Sequence, residues 1–149
     1  MPILGVHLVE GMHTPAQHAE LMGAMSTRYA EVTEVPVESV RTYVTLHPPG
    51  LWATAGVPGA GRSAPYFTAV VLADRPADLR RRLLGALTDL VVDVLGVERR
   101  LVHGQIIPVH PDDWSIGGVQ MSSARRNGTT ARGIAHWGWP RSATDRSRW

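Results

Sequence analysis

Met1-Pro2-Ile3-Leu4-Gly5-Val6-His7-Leu8-Val9-Glu10-Gly11 opens the chain. Ile3 to Leu8 is short, apolar and stopped by Glu10-Gly11, the pattern of a buried strand. Thr14-Pro15-Ala16-Gln17 then reads as a helix start: Thr14 caps, Pro15 suits the first helical position, and Gln17 completes a capping box. Leu21, Met22, Met25 and Tyr29 follow at helical spacing and predict an amphipathic helix to about Val32. Pro36 closes the connection. Val40 to Leu46 alternates and is β-branched, so it predicts a second strand, and His47-Pro48-Pro49-Gly50 predicts a turn. Two strands joined through a helix make a β-α-β unit, parallel and with a right-handed crossover.

The same order of signals returns further along. Residues 58–64 are rich in glycine and proline and read as a linker. Pro65-Tyr66-Phe67 opens a strand to about Leu72, and Asp74-Arg75-Pro76-Ala77 starts a helix. Leu79, Leu83, Leu87, Leu90, Val91 and Val94 form its apolar face, and Gly96 stops it. Leu101 to Ile107 reads as a fourth strand and Pro108 to Asp113 as a turn, followed by Trp114 and Gly117-Gly118-Val119. Trp52 to Trp114 and Gly56-Val57 to Gly118-Val119 are shifts of 62 positions, while Pro2 to Pro65 is 63. One extra loop residue accounts for the difference. A period this long, present twice, means a duplicated supersecondary unit.

The expected fold is therefore α/β in connectivity and α+β in architecture: tandem β-α-β units forming a four-stranded sheet with two helices on one face. The units span 1–57 and 65–119, joined by the 58–64 linker and followed by a tail at 120–149. The other sheet face is expected to be apolar and to be covered in a cyclic oligomer.

Composition excludes several classes. At 149 residues with 44% hydrophobic content the chain can bury a core without metals or disulfides. There is no cysteine, hence no disulfide framework, zinc-thiolate site or cysteine nucleophile. No apolar run approaches the roughly 18 residues of a membrane span, and no leader pattern opens the chain, so a cytoplasmic location is expected. The pI of about 9.7 invites a nucleic-acid reading. The charge, however, sits in the tail: Arg125, Arg126, Arg132, Arg141, Arg146 and Arg148 face Asp145 alone. Trp137, Trp139 and Trp149 lie there too, but nucleic acid is not an expected partner of the folded body. His13 and His18 lack the spacing of a helical metal pair, there is no phosphate loop, and neither a metal nor a cofactor is expected.

Pro2 carries the chemistry. Initiator methionine is usually trimmed before a residue this small, which turns Pro2 into a free secondary amine. An α-amine titrates near 7.7–8.0. An apolar cleft and a neighbouring cation would both lower that value, leaving a neutral base near pH 7.

On these residues the sequence resembles the tautomerase superfamily, in its 4-oxalocrotonate tautomerase branch. Pro2-Ile3, His7-Leu8, Glu10-Gly11, Ser39-Val40-Arg41 and Trp52 stand in the family's order in the first half. Pro65, Arg75, Trp114 and Gly117-Gly118 carry the second half more weakly. The resemblance implies a fused, double-length member and a homotrimer. It also implies a cofactor-independent isomerase that moves a proton between carbons of a small unsaturated carboxylate. Pro2 matches the family's base. Pro65 holds the same place in the second unit, but its nitrogen is an amide and accepts no proton. Arg75 matches the family's carboxylate-binding arginine, a place taken by Met12 in the first half. Arg41 matches a second family arginine, with His103 as its second-half equivalent. Trp52 and Trp114 stand where the family has an aromatic wall.

The second half also resembles cis-3-chloroacrylic acid dehalogenase, through Arg75-Pro76-Ala77-Asp78-Leu79. Trp114 stands in place of that enzyme's water-orienting glutamate, with Asp112 and Asp113 as near substitutes. Leu72 replaces a further arginine, His103 a tyrosine, and Tyr29 a histidine. Pro2 and Arg75 are thus the expected catalytic residues. Arg41, His103, Trp114, Trp52 and Tyr29 are the expected substrate contacts. Hydration or dehalogenation on the same scaffold, and a non-catalytic trimeric binding protein, are the alternatives.

Overall fold

The computed structural model describes residues 2–126, and side chains through Ala124. Trp137, Trp139 and Trp149, with most of the expected tail, lie outside the described residues, as does Met1. Strand β1 (Ile3–Val9) leads to helix α1 (Pro15–Thr33) and strand β2 (Arg41–His47), then to a two-strand hairpin, β3 (Ala53–Thr54) and β4 (Val57–Pro58). The second unit repeats this order. It contains β5 (Tyr66–Leu72), α2 (Ala77–Leu95), β6 (His103–Val109), and a hairpin of β7 (Ser115–Ile116) and β8 (Val119–Gln120). A short helix α3 (Met121–Arg126) follows.

Local chemistry explains the helix ends. The Thr14 hydroxyl accepts from the Gln17 N–H at 3.1 Å, and the Thr14 N–H donates to Gln17 Oε1 at 2.9 Å, with Pro15 in the first turn. The capping box thus satisfies two of the donors that a helix start leaves open. Gly96 ends α2 at φ 64°, a left-handed backbone that glycine adopts without cost.

The sheet runs β2-β1-β5-β6. β1 pairs parallel with β2 and β5 with β6, while β1 and β5 pair antiparallel, Ile3 opposite Val70 and His7 opposite Tyr66. The antiparallel seam joins the two units about a pseudo-twofold. Leu4, Val6 and Leu8 of β1 and Phe67, Ala69 and Val71 of β5 face the helices. There they form one core with Leu21, Met25 and Tyr29 of α1 and Leu83, Leu87 and Val91 of α2. Both helices therefore cover one sheet face. At about 25 cal/mol per Å² of buried apolar surface, such a core is the main stabilising term.

Backbone bonds fix the correspondence between the units. The Arg41 N–H donates to the Pro2 carbonyl and the His103 N–H to the Pro65 carbonyl, each at 3.0 Å. The Met12 N–H donates to Val9 O and the Arg75 N–H to Leu72 O, closing equivalent turns. Five residues separate β1 from α1 and four separate β5 from α2, so the extra residue lies in that first loop.

The structure departs from the sequence expectations at several boundaries. The second strand is Arg41–His47 and the fourth is His103–Val109, because 3-10 turns at Val37–Ser39 and Arg99–Leu101 precede them. Val57 and Pro58 are strand residues, and the Gly59 N–H closes onto the Trp52 carbonyl at 3.0 Å, so the hairpin reaches into the expected linker. Gln120 belongs to β8, and α3 begins at Met121. Met121 and Ala124 are buried, so apolar packing continues past the expected end of the second unit.

The open sheet face is also more polar than expected. Tyr43, Ile107, Ile3 and Val70 share it with His7, His47, Tyr66 and Gln105. The Tyr43 ring lies across Gly5: a Cβ at this position would stand 2.5 Å from the Tyr43 hydroxyl oxygen, so a larger residue would displace the ring.

Candidate active site

The sheet has two ends related by the pseudo-twofold, and each brings together a different set of residues. Because β1 and β5 are antiparallel, the start of β1 lies beside the finish of β5. Pro2 is therefore next to the strand end that runs into Arg75. Pro2 is buried, and its carbonyl holds the Arg41 N–H. Arg75 sits in the turn closed by its own N–H on Leu72 O. Tyr29 reaches the same place from α1, its hydroxyl donating to the Val70 carbonyl at 2.9 Å.

Burial pushes the Tyr29 hydroxyl well above the ordinary phenol range, and the positive charge of Arg75 pulls partly the other way. Within one chain the Arg41 guanidinium donates to the Glu38 and Val40 carbonyls, at 2.8 and 3.1 Å. β6 ends beside this site, with the Ala73 N–H on Val109 O at 2.9 Å, and the chain then passes through Pro111–Asp113 to Trp114. The Trp114 indole N–H is buried and has no hydrogen-bond partner among the described residues.

Pro2, Arg75, Tyr29 and the Arg41 backbone thus converge at one end, with Trp114 following the strand that finishes there. His103 and Trp52 do not join them within one chain. The His103 N–H is on Pro65, and Trp52 packs 5.0 Å from His47, both at the opposite end.

That opposite end holds a hydrogen-bonded network formed by none of the expected catalytic or substrate-contact residues. His7 Nδ1 and His47 Nε2 lie 2.9 Å apart, within hydrogen-bond distance. His7 stacks on Tyr66 at 5.6 Å, and the Tyr66 hydroxyl bonds Gln105 Oε1. Partial burial, and then the charge of His47, hold His7 below the usual imidazole range. Nearby in sequence to this end, His13 Nε2 meets the Ser63 hydroxyl at 2.6 Å. These partners are 39 to 59 positions apart, so no local motif announces them; alternation alone places His7 and His47 on the open face of their strands. Among the described residues no group of three or more His, Cys, Asp or Glu side chains is placed to hold a metal ion. No described helix is long and apolar enough to cross a membrane.

Solved structures share this architecture. A native fused 4-OT is 28% identical, with a TM-score of 0.77 over 83% of this chain and 99% of its own. In fold and in length the chain matches the fused 4-OT proteins of the tautomerase superfamily. A second fused 4-OT, an asymmetric trimer, is 25% identical, with a TM-score of 0.76 over 83% of this chain and 99% of its own. FG41 malonate semialdehyde decarboxylase, inhibited by 3-bromopropiolate, shares the fold at 19% identity, with a TM-score of 0.67 over 84% of this chain and 96% of its own. No family model matches the sequence, and no curated protein matches it. The tautomerase neighbours thus span more than one reaction type.

Proposed function

We propose that this protein is a cofactor-independent tautomerase that uses Pro2, after loss of Met1, as the general base on a small unsaturated carboxylate. The observation that carries the reading is the meeting of Pro2 from the first half with the Arg75 turn from the second. Neither half alone supplies both groups, since Met12 replaces the arginine in one and Pro65 is an amide in the other.

In this reading Arg75 binds the carboxylate bidentately and stays charged at every working pH. Its charge keeps the Pro2 amine neutral and stabilises the negative charge that develops on the dienolate oxygen. The base removes a proton from the carbon acid or enol, and the resulting ammonium returns it to another carbon. Trp114 supplies an apolar wall at the same end, which excludes water and strengthens these interactions. Arg41, Trp52 and His103 serve as substrate contacts between copies in a homotrimer, the assembly in which a fused 4-OT of this fold is found. The units 1–57 and 65–119 would then act as one site-forming pair per chain, in the cytoplasm.

A second reading is hydration. Asp112 and Asp113 lie in the turn just before Trp114 and place carboxylates near the same end. Ketonisation of 2-hydroxymuconate, followed in parallel with hydration of an acetylenic carboxylate, separates the two. Rapid ketonisation that vanishes when Met1 is retained supports the tautomerase. Hydration alone supports the second reading. Neither activity in the Met1-free trimer leaves a non-catalytic binding protein.

A further inference from the structure

Tyr29 stands directly behind the Pro2 end and differs from its repeat partner. The pseudo-twofold matches α1 position for position with α2, so Leu21, Met25 and Tyr29 correspond to Leu83, Leu87 and Val91. The first two pairs are aliphatic in both units. At the third, one unit buries a phenol and the other a valine. Thr33 also differs from its partner Leu95, but its hydroxyl returns to the Tyr29 carbonyl at 2.8 Å and stays within its own helix. The Tyr29 hydroxyl alone of these leaves the first unit and bonds the second.

We infer that Tyr29 is the positioning residue of the Pro2 site: it ties the end of β5 to α1 and so fixes the Arg75 turn against the start of β1. The inference rests on reading that end as the active site. Tyr29 is only 3% exposed, too little for a substrate contact, so its effect must pass through its neighbours. Its single O–H is already committed to Val70 O. Val70 faces Ile3 across the seam and lies two residues before Leu72, whose carbonyl receives the Arg75 N–H. The hydroxyl therefore grips the backbone where the base-bearing unit and the cation-bearing unit meet.

A buried phenol without a partner is costly, and packing alone would be served by an aliphatic side chain, as Val91 serves α2. The difference tracks chemistry at the two ends. Tyr29 accompanies Arg75, and by the pseudo-twofold Val91 of the second unit stands toward the end that carries Met12 of the first. A neutral, protonated phenol also leaves the Arg75 charge undiminished for an incoming anion, whereas a carboxylate at that position would pair with it.

The test compares Tyr29→Phe with Ser26→Ala, alone and in an Arg75→Ala background. Tyr29→Phe keeps the ring and deletes the hydroxyl. Ser26→Ala deletes a hydroxyl on the same helix that bonds Met22 O and Thr42 Oγ1 instead. With 2-hydroxymuconate as substrate, Tyr29→Phe should lower kcat/KM by about tenfold, chiefly through KM, and should add nothing once Arg75 is gone. Its Arg75 Nε–Hε resonance should shift, while Ser26→Ala moves neither quantity. Equal losses in both backgrounds, or an unmoved Arg75 resonance, would overturn the inference. If the wild-type protein has no ketonisation activity, the tautomerase reading fails, and the Arg75 resonance still decides the positioning role. Should Tyr29→Phe not fold, nuclear Overhauser contacts in the wild-type protein decide instead. A slowly exchanging Tyr29 hydroxyl proton with a contact to the Arg75 side chain supports the role, and its absence rejects it.

Discussion

The two ends of the sheet began as copies and now hold opposite chemistry. One gathers Pro2, Arg75 and Tyr29, with the Arg41 backbone on Pro2. The other has Pro65, Met12 and His103 in the matching places, together with the His7–His47 pair and Trp52. In the proposed mechanism fusion accounts for the divergence. Only one proline can have a free nitrogen in a single chain, so an arginine beside Pro65 would have no base to serve, and one imidazole, His103, and one apolar residue, Met12, stand in the places of Arg41 and Arg75. The difference teaches that a duplicated fold keeps its backbone bonds while its side chains specialise.

The sharpest way to break this contrast is to block each proline in turn. Retaining Met1 should lower kcat by about 10²–10⁴-fold, the usual contribution of a positioned general base. Pro65→Ala should leave turnover unchanged and alter only thermal stability. Comparable losses of ketonisation rate from the two changes would erase the distinction between the ends.

Next in size comes the cation. Arg75→Ala should lower kcat/KM by about 2–4 kcal/mol, the scale of a lost charge-assisted contact. Met12→Arg, which builds the equivalent cation at the other end, should not add a second site. Arg80→Ala, at a half-buried position of α2 one turn beyond its start, should change kinetics little. Steady-state assays of the three variants sharpen the comparison, and a gain from Met12→Arg would show that the Pro65 end is still competent.

The imidazole pair should report through pH. His7 titrates below its unfolded value near 6.5. The unfolded chain therefore binds more protons than the native one in that window, and the stability due to neutral His7 is lost as pH falls through about 6.5. Melting temperatures from pH 7.5 to 5 should decline, and His47→Gln, which removes the neighbouring charge, should flatten the decline. A slope unchanged by His47→Gln would detach the pair from stability.

The smallest effect belongs to the hairpin tips. Ala55 and Gly56 have φ of 53° and 79°, and Gly117 and Gly118 have 57° and 79°. Both tips need left-handed backbone at two successive positions, yet the first uses alanine. Ala55→Gly should therefore stabilise by about 0.5–1 kcal/mol in denaturant melts. Gly117→Ala should destabilise by a similar amount.

Much of the fold was legible because its signals are local. Thr14 and Gln17 lie three residues apart, the apolar helix positions recur every three or four, and the repeat shows as matched prolines, tryptophans and glycines. The hairpins were not legible, since two-residue strands carry no period, although Gly56 and Gly118 mark their turns. Helix α3 was missed because its buried Met121 and Ala124 sit in a polar stretch. In the site, Pro2, Arg75, Tyr29 and Trp114 were named from sequence and meet or lead to one end. His103 and Trp52 were named with them and lie at the other end of the same chain. Family spacing assigns roles without saying which copy supplies them, and only the antiparallel seam separates the two sets. The His7–His47 pair was invisible for the same reason: strand register, not sequence distance, brings the rings together.

The central claim is that each chain has one working end, built on the free nitrogen of Pro2. Mass spectrometry after treatment with 2-oxo-3-pentynoate, an electrophilic ynone carboxylate, tests it most directly. The expected result is one adduct per chain, on a peptide that begins at Pro2, with ketonisation lost in proportion and no adduct on the Met1-retaining form. Labelling of the Met1-retaining form at the same rate, or an adduct at the Pro65 end that abolishes activity, would contradict it.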